Sequence, residues 1–216
     1  MKKIIIFGSG DHAKVILGEI IKKKKFKVIG FYDENKKKNE VIIKLNGKVY
    51  KNIIGKIDIL SSYLHGIIGV GDNNLRKKIQ QRINKINNNF KWSTVISNNS
   101  IIDKSVKLGV GTFISANCFI NINSSIGDHC IINSSSSLDH DNIIKNFVSI
   151  APGTICGGNV QINDNTQIGI GTIIRNNVKI GKNILVGGGS YVNKDLIDNS
   201  VYYGIPIKKI LKKKVK

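Results

Sequence analysis

From residue 96 to residue 192, every sixth residue of the chain is aliphatic or cysteine. Sixteen of the seventeen positions in this register are Ile, Leu or Val, and the remaining one is Cys156. A period of six matches neither the 3.6-residue period of an α-helix nor the simple alternation of a half-buried strand. Each six-residue unit is therefore expected to form a short strand and a corner, with the aliphatic residues stacked in one ladder. The pattern predicts a parallel β-helix, and its unbroken register disfavours an irregular β-sandwich.

Small or polar residues often directly follow the ladder positions. Residues of this kind favour tight corners, because several of them tolerate backbone angles that other residues avoid. The corners are therefore predicted at Gly109, Gly127, Asn133, Asp139, Gly169, Gly181 and Gly187.

Residues 1 to about 90 follow a different pattern. An apolar run at Lys3–Phe7 predicts a buried strand, and the amphipathic stretch that follows, to about Lys22, predicts a helix. Two further strands are predicted, at 28–32 and 67–70, the second followed by a helix that ends near Asn87. Alternating strands and helices indicate a parallel sheet covered by helices.

The two patterns predict two domains that meet near residues 87–92. Residues 1–90 are predicted to form an α/β domain of half-Rossmann type. Residues 91–216 are predicted to form an all-β domain, the parallel β-helix, with a short C-terminal tail.

The formal net charge of the chain is +20 at pH 7, which at first favours a nucleic-acid partner. Arg occurs only at positions 76, 82 and 175, however, and aromatic residues make up 6% of the chain. Base reading favours Arg, and single-strand binding favours interleaved aromatic residues, so we expect no nucleic-acid partner. Two interpretations of the Lys excess stay open: a solvated surface enriched by AT-rich codons, or attraction of anionic substrates.

The three cysteines, at 118, 130 and 156, lack the spacing of a zinc site, and we expect no metal. The apolar run near the N-terminus stops at Gly8, which is too short for a secretory signal, and no stretch is long enough to span a membrane. The sequence therefore predicts a cytoplasmic protein with no membrane partner.

The segment Gly8-x-Gly10-x-x-Ala13 follows a predicted strand, and an acidic residue, Asp33, lies 20 residues beyond Ala13. This spacing matches the dinucleotide-binding fingerprint, in which glycines let backbone N–H groups approach a phosphate. About 90 residues provide only half of a dinucleotide-binding sheet, so a single nucleotide fits better than a hydride-transferring cofactor. The alternative is that these residues only form a tight strand-to-helix turn.

In the nucleotide-binding interpretation, different residues contact different parts of the ligand. Gly10, Asp11 and His12 are candidates for contact with the pyrophosphate or the sugar. Asp33 and Glu34 are candidates to accept hydrogen bonds from the ribose or the base.

Polar residues of the predicted β-helix concentrate around His140, in the run from Asn133 to Asn142. Histidine can remove a proton near neutral pH, and an adjacent carboxylate such as Asp141 can fix its tautomer and raise its basicity. A single histidine on a solvated rung is more often an ordinary surface residue.

Several segments together resemble a known family. They are Asn133–Gly158, the six-residue ladder, Gly8–Lys14, and Gly69–Asn73 with Arg76. The chain closely resembles bacterial sugar O- or N-acyltransferases of the hexapeptide-repeat superfamily, such as UDP-4-amino-sugar N-acetyltransferases and sialic acid O-acetyltransferases. These enzymes have a small nucleotide-binding N-terminal domain.

The resemblance implies a left-handed parallel β-helix, a homotrimer with active sites between subunits, and acetyl-CoA as the acyl donor. It implies that His140 is the general base, that Asp141 orients it, and that the Gly158 N–H faces the thioester oxygen. Ile170 and Gly188 are expected to line the acetyl-CoA channel. The residues implied for nucleotide-sugar binding are Gly10, Asp11, His12, Asp33, Glu34 and Gly71.

Three residues depart from the family pattern. Ser149, expected on the acetyl-CoA side, replaces a frequent histidine. The closing segment Tyr203–Lys208 resembles the family's terminal Gly-x-Pro-Ala-Lys turn, and Ile207 replaces its usual Ala. Asp11 stands at a position of the phosphate loop that is commonly glycine.

The leading hypothesis is transfer of an acetyl group from acetyl-CoA to the amino group of a UDP-linked 4-amino-4,6-dideoxy sugar. Because one base serves an amine or a hydroxyl equally, O-acetylation of a sugar such as sialic acid stays open as the alternative. A noncatalytic β-helix binding module is the second alternative.

Overall fold

The computed structural model describes residues 1–53 and 64–212, which form two compact units. The first unit ends at Asn98 and the second begins at Asn99. The predicted fold class is confirmed: an α/β region with a parallel sheet precedes a parallel β-helix. In the described part of the chain, no helix combines the length and the apolar character needed to cross a membrane.

The elements of the first unit in chain order are β1 (Lys2–Phe7), α1 (Asp11–Lys23), β2 (Phe26–Tyr32), β3 (Val41–Leu45), β4 (Lys48–Lys51), β5 (Leu64–Ile68), α2 (Asn73–Ile86), β6 (Lys91–Trp92) and β7 (Val95–Ile96). The unit is built on a parallel sheet with strand order β2-β1-β5-β6.

The predicted strands and helices of this unit are found close to their predicted bounds, and β3, β4, β6 and β7 are additional. β5 ends at Ile68, so Val70 belongs to the loop that follows the strand. β3 and β4 form an antiparallel hairpin, whose turn residues Asn46 and Gly47 both have positive φ angles, 49° and 73°. An Asn-Gly pair between two apolar stretches is a strong hairpin signal, because both turn positions require left-handed backbone.

One hydrophobic cluster of the first unit lies between the sheet and α2. Phe7, Ile68, Ile83 and Phe90 are buried together there, and Phe7 packs edge-on against Phe90 with ring centroids 5.8 Å apart. This packing fixes the end of β1 and, with it, the turn into α1.

Between Ile101 and Val192 the second unit consists of two-residue strands. Each of these strands up to Ile173–Ile174 pairs in parallel with the strand 18 residues further along the chain. We call the three faces of the β-helix sheets 1, 2 and 3. Sheet 1 contains β10 (Phe113–Ile114), β13 (Ile131–Ile132), β16 (Ser149–Ile150), β19 (Gln167–Ile168), β22 (Leu185–Val186) and β24 (Ser200–Tyr203), followed by the antiparallel β25 (Lys208–Lys212). Sheet 2 contains β8 (Ile101–Ile102), β11 (Phe119–Ile120), β14 (Ser137–Leu138), β17 (Ile155–Cys156), β20 (Ile173–Ile174) and β23 (Tyr191–Val192). Sheet 3 contains β9 (Lys107–Leu108), β12 (Ser125–Ile126), β15 (Ile143–Ile144), β18 (Gln161–Ile162) and β21 (Lys179–Ile180).

The six-residue ladder forms the interior of the β-helix. From Ile114 to Val192, every ladder position is at most 2% exposed. Hydroxyl groups two residues before the ladder positions also point inward, and Thr112 Oγ1 donates to the Gly127 carbonyl at 2.8 Å. Burial also raises the pKa of the ladder thiol Cys156 to about 12, which keeps it un-ionised.

The corners differ from the sequence prediction. Residues with positive φ recur three positions after each ladder residue from Leu108 to Val186, for example Asp141 at 57° and Asn159 at 56°. The glycines predicted to form the corners, such as Gly109 and Gly169, have no positive φ. They are small for another reason: a Cβ on Gly169 would lie 2.4 Å from the Gly188 nitrogen of the next rung. The predicted corner position was therefore wrong, and close packing between rungs explains the glycines there.

Candidate active site

His140 lies on the corner that joins sheet 2 to sheet 3, two residues beyond the end of β14. Its side chain is 51% exposed, and its Nδ1 lies 2.8 Å from Asp141 Oδ2. An ionised carboxylate only accepts hydrogen bonds, so Nδ1 carries the hydrogen and Nε2 carries the free lone pair. The hydrogen bond to Asp141 is the main cause that raises the pKa of His140, and the charges of Asp139 and Asp141 add to it. The arrangement produces an exposed and strengthened base.

Hydrogen bonds on both sides hold this corner in place. Asp139 Oδ1 accepts from the His140 backbone N–H and from Asn121 Nδ2, each at 2.9 Å. The fully buried Asn142 donates from Nδ2 to the Asp139 carbonyl at 2.6 Å and accepts from the Val160 N–H at 2.9 Å. Sequence reasoning placed Asp139 at a predicted corner but assigned none of Asp139, Asn121 and Asn142 a role in holding the site, although Asp139 and Asn142 flank the His140–Asp141 pair directly.

Gly158 lies on the same corner, one rung further along. A Cβ on Gly158 would lie 2.5 Å from both Cε1 and Nε2 of His140, so the imidazole covers the space that a side chain would fill. The absent side chain of Gly158 is therefore what allows the imidazole to lie against this rung.

Gly158 is a buried residue, and within residues 1–53 and 64–212 its backbone N–H donates to no acceptor. On the two preceding rungs, the corresponding N–H groups of Ile122 and His140 donate to the side chains of Asn121 and Asp139. Gly157 has no side chain with which to do the same. Buried N–H groups usually have an acceptor, so this group is available to a bound oxygen.

The residues predicted to bind acetyl-CoA are distributed over the β-helix. Ile170 and Gly188 lie together on the corner between sheets 1 and 2, where a Cβ on Gly188 would lie 2.9 Å from Ile170 Cγ2. The Ile170 side chain is 63% exposed. Ser149 belongs to β16 of sheet 1 and is 9% exposed. Within one chain, Gly158 lies on one edge of sheet 2, Ile170 and Gly188 lie on its other edge, and Ser149 lies with neither.

The predicted nucleotide-binding residues lie at the carboxyl ends of β1, β2 and β5. α1 begins after Gly10, which caps the helix without a side-chain hydrogen bond. The exposed Asp11 forms an ion pair with Lys14 at 3.0 Å, so its charge is partly offset. Gly71 is exposed in the loop before α2, and its carbonyl accepts from Arg76 Nη1 at 3.0 Å.

His12 belongs to α1 and Arg76 to α2, the helices that follow the loops after β1 and β5. Arg76 is 1% exposed, and its guanidinium also donates to the Val70 carbonyl at 2.9 Å and to Asn73 Oδ1 at 2.7 Å. Burial, with the Arg76 charge as a second cause, lowers the pKa of His12 to about 4. His12 is therefore a neutral imidazole at neutral pH.

Asp33 has a structural role as well as the predicted one. Its Oδ2 accepts from the Ser9 N–H at 3.0 Å and from Ser9 Oγ at 2.6 Å, while Oδ1 accepts from the Asn35 N–H at 3.0 Å. These bonds tie the end of β2 to the turn after β1.

A cleft of about 170 Å³ lies beside Asp33 and Glu34. Glu34 and Arg82 form a two-point ion pair at its edge, with Arg82 Nη1 2.7 Å from Glu34 Oε2. Arg82 belongs to α2 and was not among the predicted site residues, because nothing in the sequence joins positions 48 residues apart. The cleft is lined by Phe7, Gly8, Tyr32, Asp33, Glu34, Asn35, Val70, Leu75, Ile79, Arg82 and Ile83.

In the described part of the chain, no group of three or more His, Cys, Asp or Glu residues is arranged to hold a metal ion.

Comparison with known proteins identifies similar chains. Residues 3–83 match the family model of the PglD N-terminal domain. The acetyltransferase domain of PglB from Neisseria gonorrhoeae FA1090, solved in complex with acetyl coenzyme A, is 25% identical with a TM-score of 0.85, covering 97% of this chain and 99% of that one.

Two further solved structures cover nearly the whole chain. PerB from Caulobacter crescentus, in complex with CoA and GDP-perosamine, is 27% identical with a TM-score of 0.85, over 96% of this chain and 97% of that one. WeeI from Acinetobacter baumannii AYE has a TM-score of 0.82 at 24% identity, over 96% and 99% of the two chains, and supports the fold. The resemblance of this chain to sugar acyltransferases of the hexapeptide-repeat β-helix superfamily is thereby confirmed.

Proposed function

We propose that the protein transfers an acetyl group from acetyl-CoA to the amino group of a UDP-linked 4-amino-4,6-dideoxy sugar. The observation that carries this proposal is the His140–Asp141 pair, which lies against Gly158, a residue with an open N–H. A base and an oxyanion donor on one corner are the two groups that acyl transfer to an amine requires.

The reaction follows from these groups. The acceptor nitrogen attacks the thioester carbonyl carbon, and the developing oxyanion accepts a hydrogen bond from the Gly158 N–H. His140 Nε2 takes the proton from the nitrogen while Asp141 stabilises the resulting imidazolium. The tetrahedral intermediate then collapses with loss of the C–S bond, and the CoA sulfur leaves with a proton returned by His140.

The acceptor is proposed to bind to residues 1–90, and acetyl-CoA to residues 91–216. Gly10, Asp11, His12 and Gly71 would contact the pyrophosphate and sugar, and the cleft beside Asp33 and Glu34 would take the base. PerB, bound to GDP-perosamine, and PglB, bound to acetyl coenzyme A, support a nucleotide-linked amino sugar and acetyl-CoA as substrates. Uracil is our proposal for the base.

The protein is proposed to act as a homotrimer. The residues that point outward from sheet 2 form an exposed apolar face, which includes Ile101, Phe119, Ile155 and Ile173 at 40–67% exposure. Only Ser137 interrupts these apolar residues along the sheet, and exposed apolar surface of this kind favours protein contact. In a closed ring, this face would bring the His140 edge of one copy close to the Ile170 and Gly188 edge of the next. That arrangement would unite residues that one chain holds on two separate corners.

We further propose that the protein works in the cytoplasm, where acetyl-CoA and nucleotide sugars are available. Ser149 is proposed to contact acetyl-CoA from sheet 1.

The proposal is tested by incubating the protein with acetyl-CoA and nucleotide-linked sugars and following release of free CoA thiol. We expect release with a UDP-linked 4-amino sugar and none with its 4-hydroxyl counterpart. Release with the hydroxyl sugar or with sialic acid would instead support O-acetylation, and no release with any sugar would support a noncatalytic binding module.

The control variant is His140→Ala. A positioned base contributes about 10²–10⁴-fold to the rate, so turnover should fall by that range with little change in acetyl-CoA affinity. Turnover close to that of the wild type would remove His140 from the mechanism.

A further inference from the structure

The Glu34–Arg82 ion pair lies at the edge of the cleft in the first unit and joins the segment after β2 to helix α2. Both side chains are 51% exposed, so their polar atoms are accessible from the cleft. The pair stays ionised, because the hydrogen bond between its members lowers the pKa of Glu34 and raises that of Arg82. The cleft wall beside the pair is apolar and includes Phe7, Val70 and Ile79.

Both members of the Glu34–Arg82 pair can form further hydrogen bonds. Arg82 has five N–H donors and uses two of them on Glu34. Glu34 Oε1 accepts from Arg82 and, in a long bond of 3.4 Å, from the Tyr32 hydroxyl, whereas Oε2 accepts from Arg82 alone. An acceptor on Glu34 Oε2 and donors on Arg82 therefore remain side by side, and the atoms that carry them are 2.7 Å apart.

The neighbouring carboxylate is less available. Asp33 Oδ2 already accepts two hydrogen bonds from Ser9, and Oδ1 accepts one from Asn35. Glu34 is consequently the carboxylate of this cleft that is best able to accept from a ligand.

We propose that Glu34 and Arg82 together select the nucleobase, with Glu34 accepting the ring N–H and Arg82 donating to the adjacent carbonyl oxygen of uracil or guanine. This inference rests on the proposed function and extends it to the class of nucleotide. Uracil and guanine both present a ring N–H beside an exocyclic carbonyl group. Cytosine and adenine present these groups in the reverse order, a ring lone pair beside an amino group. When the ribose holds the base in the same orientation, they would place a lone pair against the carboxylate and an N–H against the guanidinium.

The first test measures the affinities of UDP, GDP, CDP and ADP for the full chain by titration calorimetry. A good two-point contact discriminates between bases by about 1–3 kcal/mol, so UDP and GDP should bind roughly 5- to 150-fold more tightly than CDP and ADP. Equal affinity for all four nucleotides would overturn the proposal.

The second test exchanges the two side chains in the double variant Glu34→Arg, Arg82→Glu. This variant keeps the ion pair and the total charge but inverts donor and acceptor, so the preference should move toward CDP and ADP. A folded double variant with the wild-type preference would contradict the proposal.

The single variant Glu34→Gln provides a milder change that is safer for folding, and it should reduce the ratio of UDP to CDP affinity. The matched control is Glu40→Gln, which disrupts the exposed Lys36–Glu40 pair away from the cleft lining and should leave that ratio unchanged. An unchanged ratio in Glu34→Gln would count against the inference.

The transfer assay separates this inference from the proposed function. Nucleotide preference without thiol release from any nucleotide-linked amino sugar would refute acetyl transfer and leave base selection intact. Transfer that proceeds with all four nucleotide types equally well would refute base selection alone.

Discussion

The two regions of the molecule carry charge very differently. Residues 1–98 have a formal net charge of +14, residues 99–207 are neutral, and the last nine residues contribute +6. The β-helix body uses Asn at many of its turn positions, whereas the first unit carries Lys over much of its surface. The positive charge of the chain is therefore concentrated in the region proposed to bind the nucleotide sugar and in the tail.

The two regions also position their polar groups differently. In the β-helix, His140 and Gly158 are brought together by an 18-residue rung that repeats along the whole domain. In the first unit, Glu34 and Arg82 meet only because β2 and α2 pack on the same sheet. The proposed acyl-transfer corner is therefore set by a repeat, and the proposed nucleotide cleft by contacts that do not repeat along the chain.

The largest predicted effect tests the rung-to-rung contact. Gly158→Ala keeps the backbone N–H but places a Cβ where the His140 ring lies, so turnover should fall about as far as in His140→Ala, by about 10²–10⁴-fold. The double variant should be no slower than either single variant and should unfold at a higher temperature than Gly158→Ala, because the clash is relieved. Additive losses in steady-state turnover would indicate that the two residues act independently.

The next effect separates the interior of the β-helix from its apolar face. Ile150→Ala removes a fully buried ladder side chain and should lower the free energy of unfolding by about 2–5 kcal/mol.

Ile155→Asp changes an outward residue that is 51% exposed, so it should leave the circular dichroism spectrum intact but shift sedimentation from trimer to monomer. An Ile155→Asp protein that sediments as the wild type does would exclude the apolar face as the subunit interface.

A smaller effect sharpens the charge comparison. If the Lys-rich first unit attracts its anionic substrate, the apparent KM for the nucleotide sugar should rise with salt more steeply than the KM for acetyl-CoA. Steady-state kinetics at several ionic strengths measures both. If neither KM changes with ionic strength, the Lys excess is better explained by codon composition.

The sequence was informative where structure repeats. The ladder from Ile114 to Val192 was predicted in full, because each six-residue unit contains its own burial signal. The corner positions were misassigned, since a glycine can serve either for positive φ or for close packing against the next rung. Gly171 has the first property and Gly169 has the second, and composition alone does not separate them.

The sequence was less informative where the chain makes contacts that do not repeat. Glu34 was singled out by its place after β2, but its partner Arg82 required knowledge of how α2 packs. The use of Asp33 to hold Ser9 was missed for the same reason. Asn142 gave a local signal, because it adjoins the His140–Asp141 pair, yet its buried bonds reach Val160 on the next rung.

The most direct test of the account is the pH dependence of kcat/KM for the wild type and for Asp141→Asn. The base must be neutral to act, and Asp141 raises the pKa of His140, so the wild-type rate should fall as pH drops through that raised pKa. Removing the carboxylate should lower the pKa of His140, so the acid limb of the kcat/KM profile should move to lower pH. The plateau value of kcat/KM should also decrease. Asp103→Asn, which removes an exposed carboxylate bonded to Ser105, should leave the limb in place. An acid limb at the same pH in the wild type and in Asp141→Asn would contradict the assignment of His140 and Asp141 as the catalytic pair.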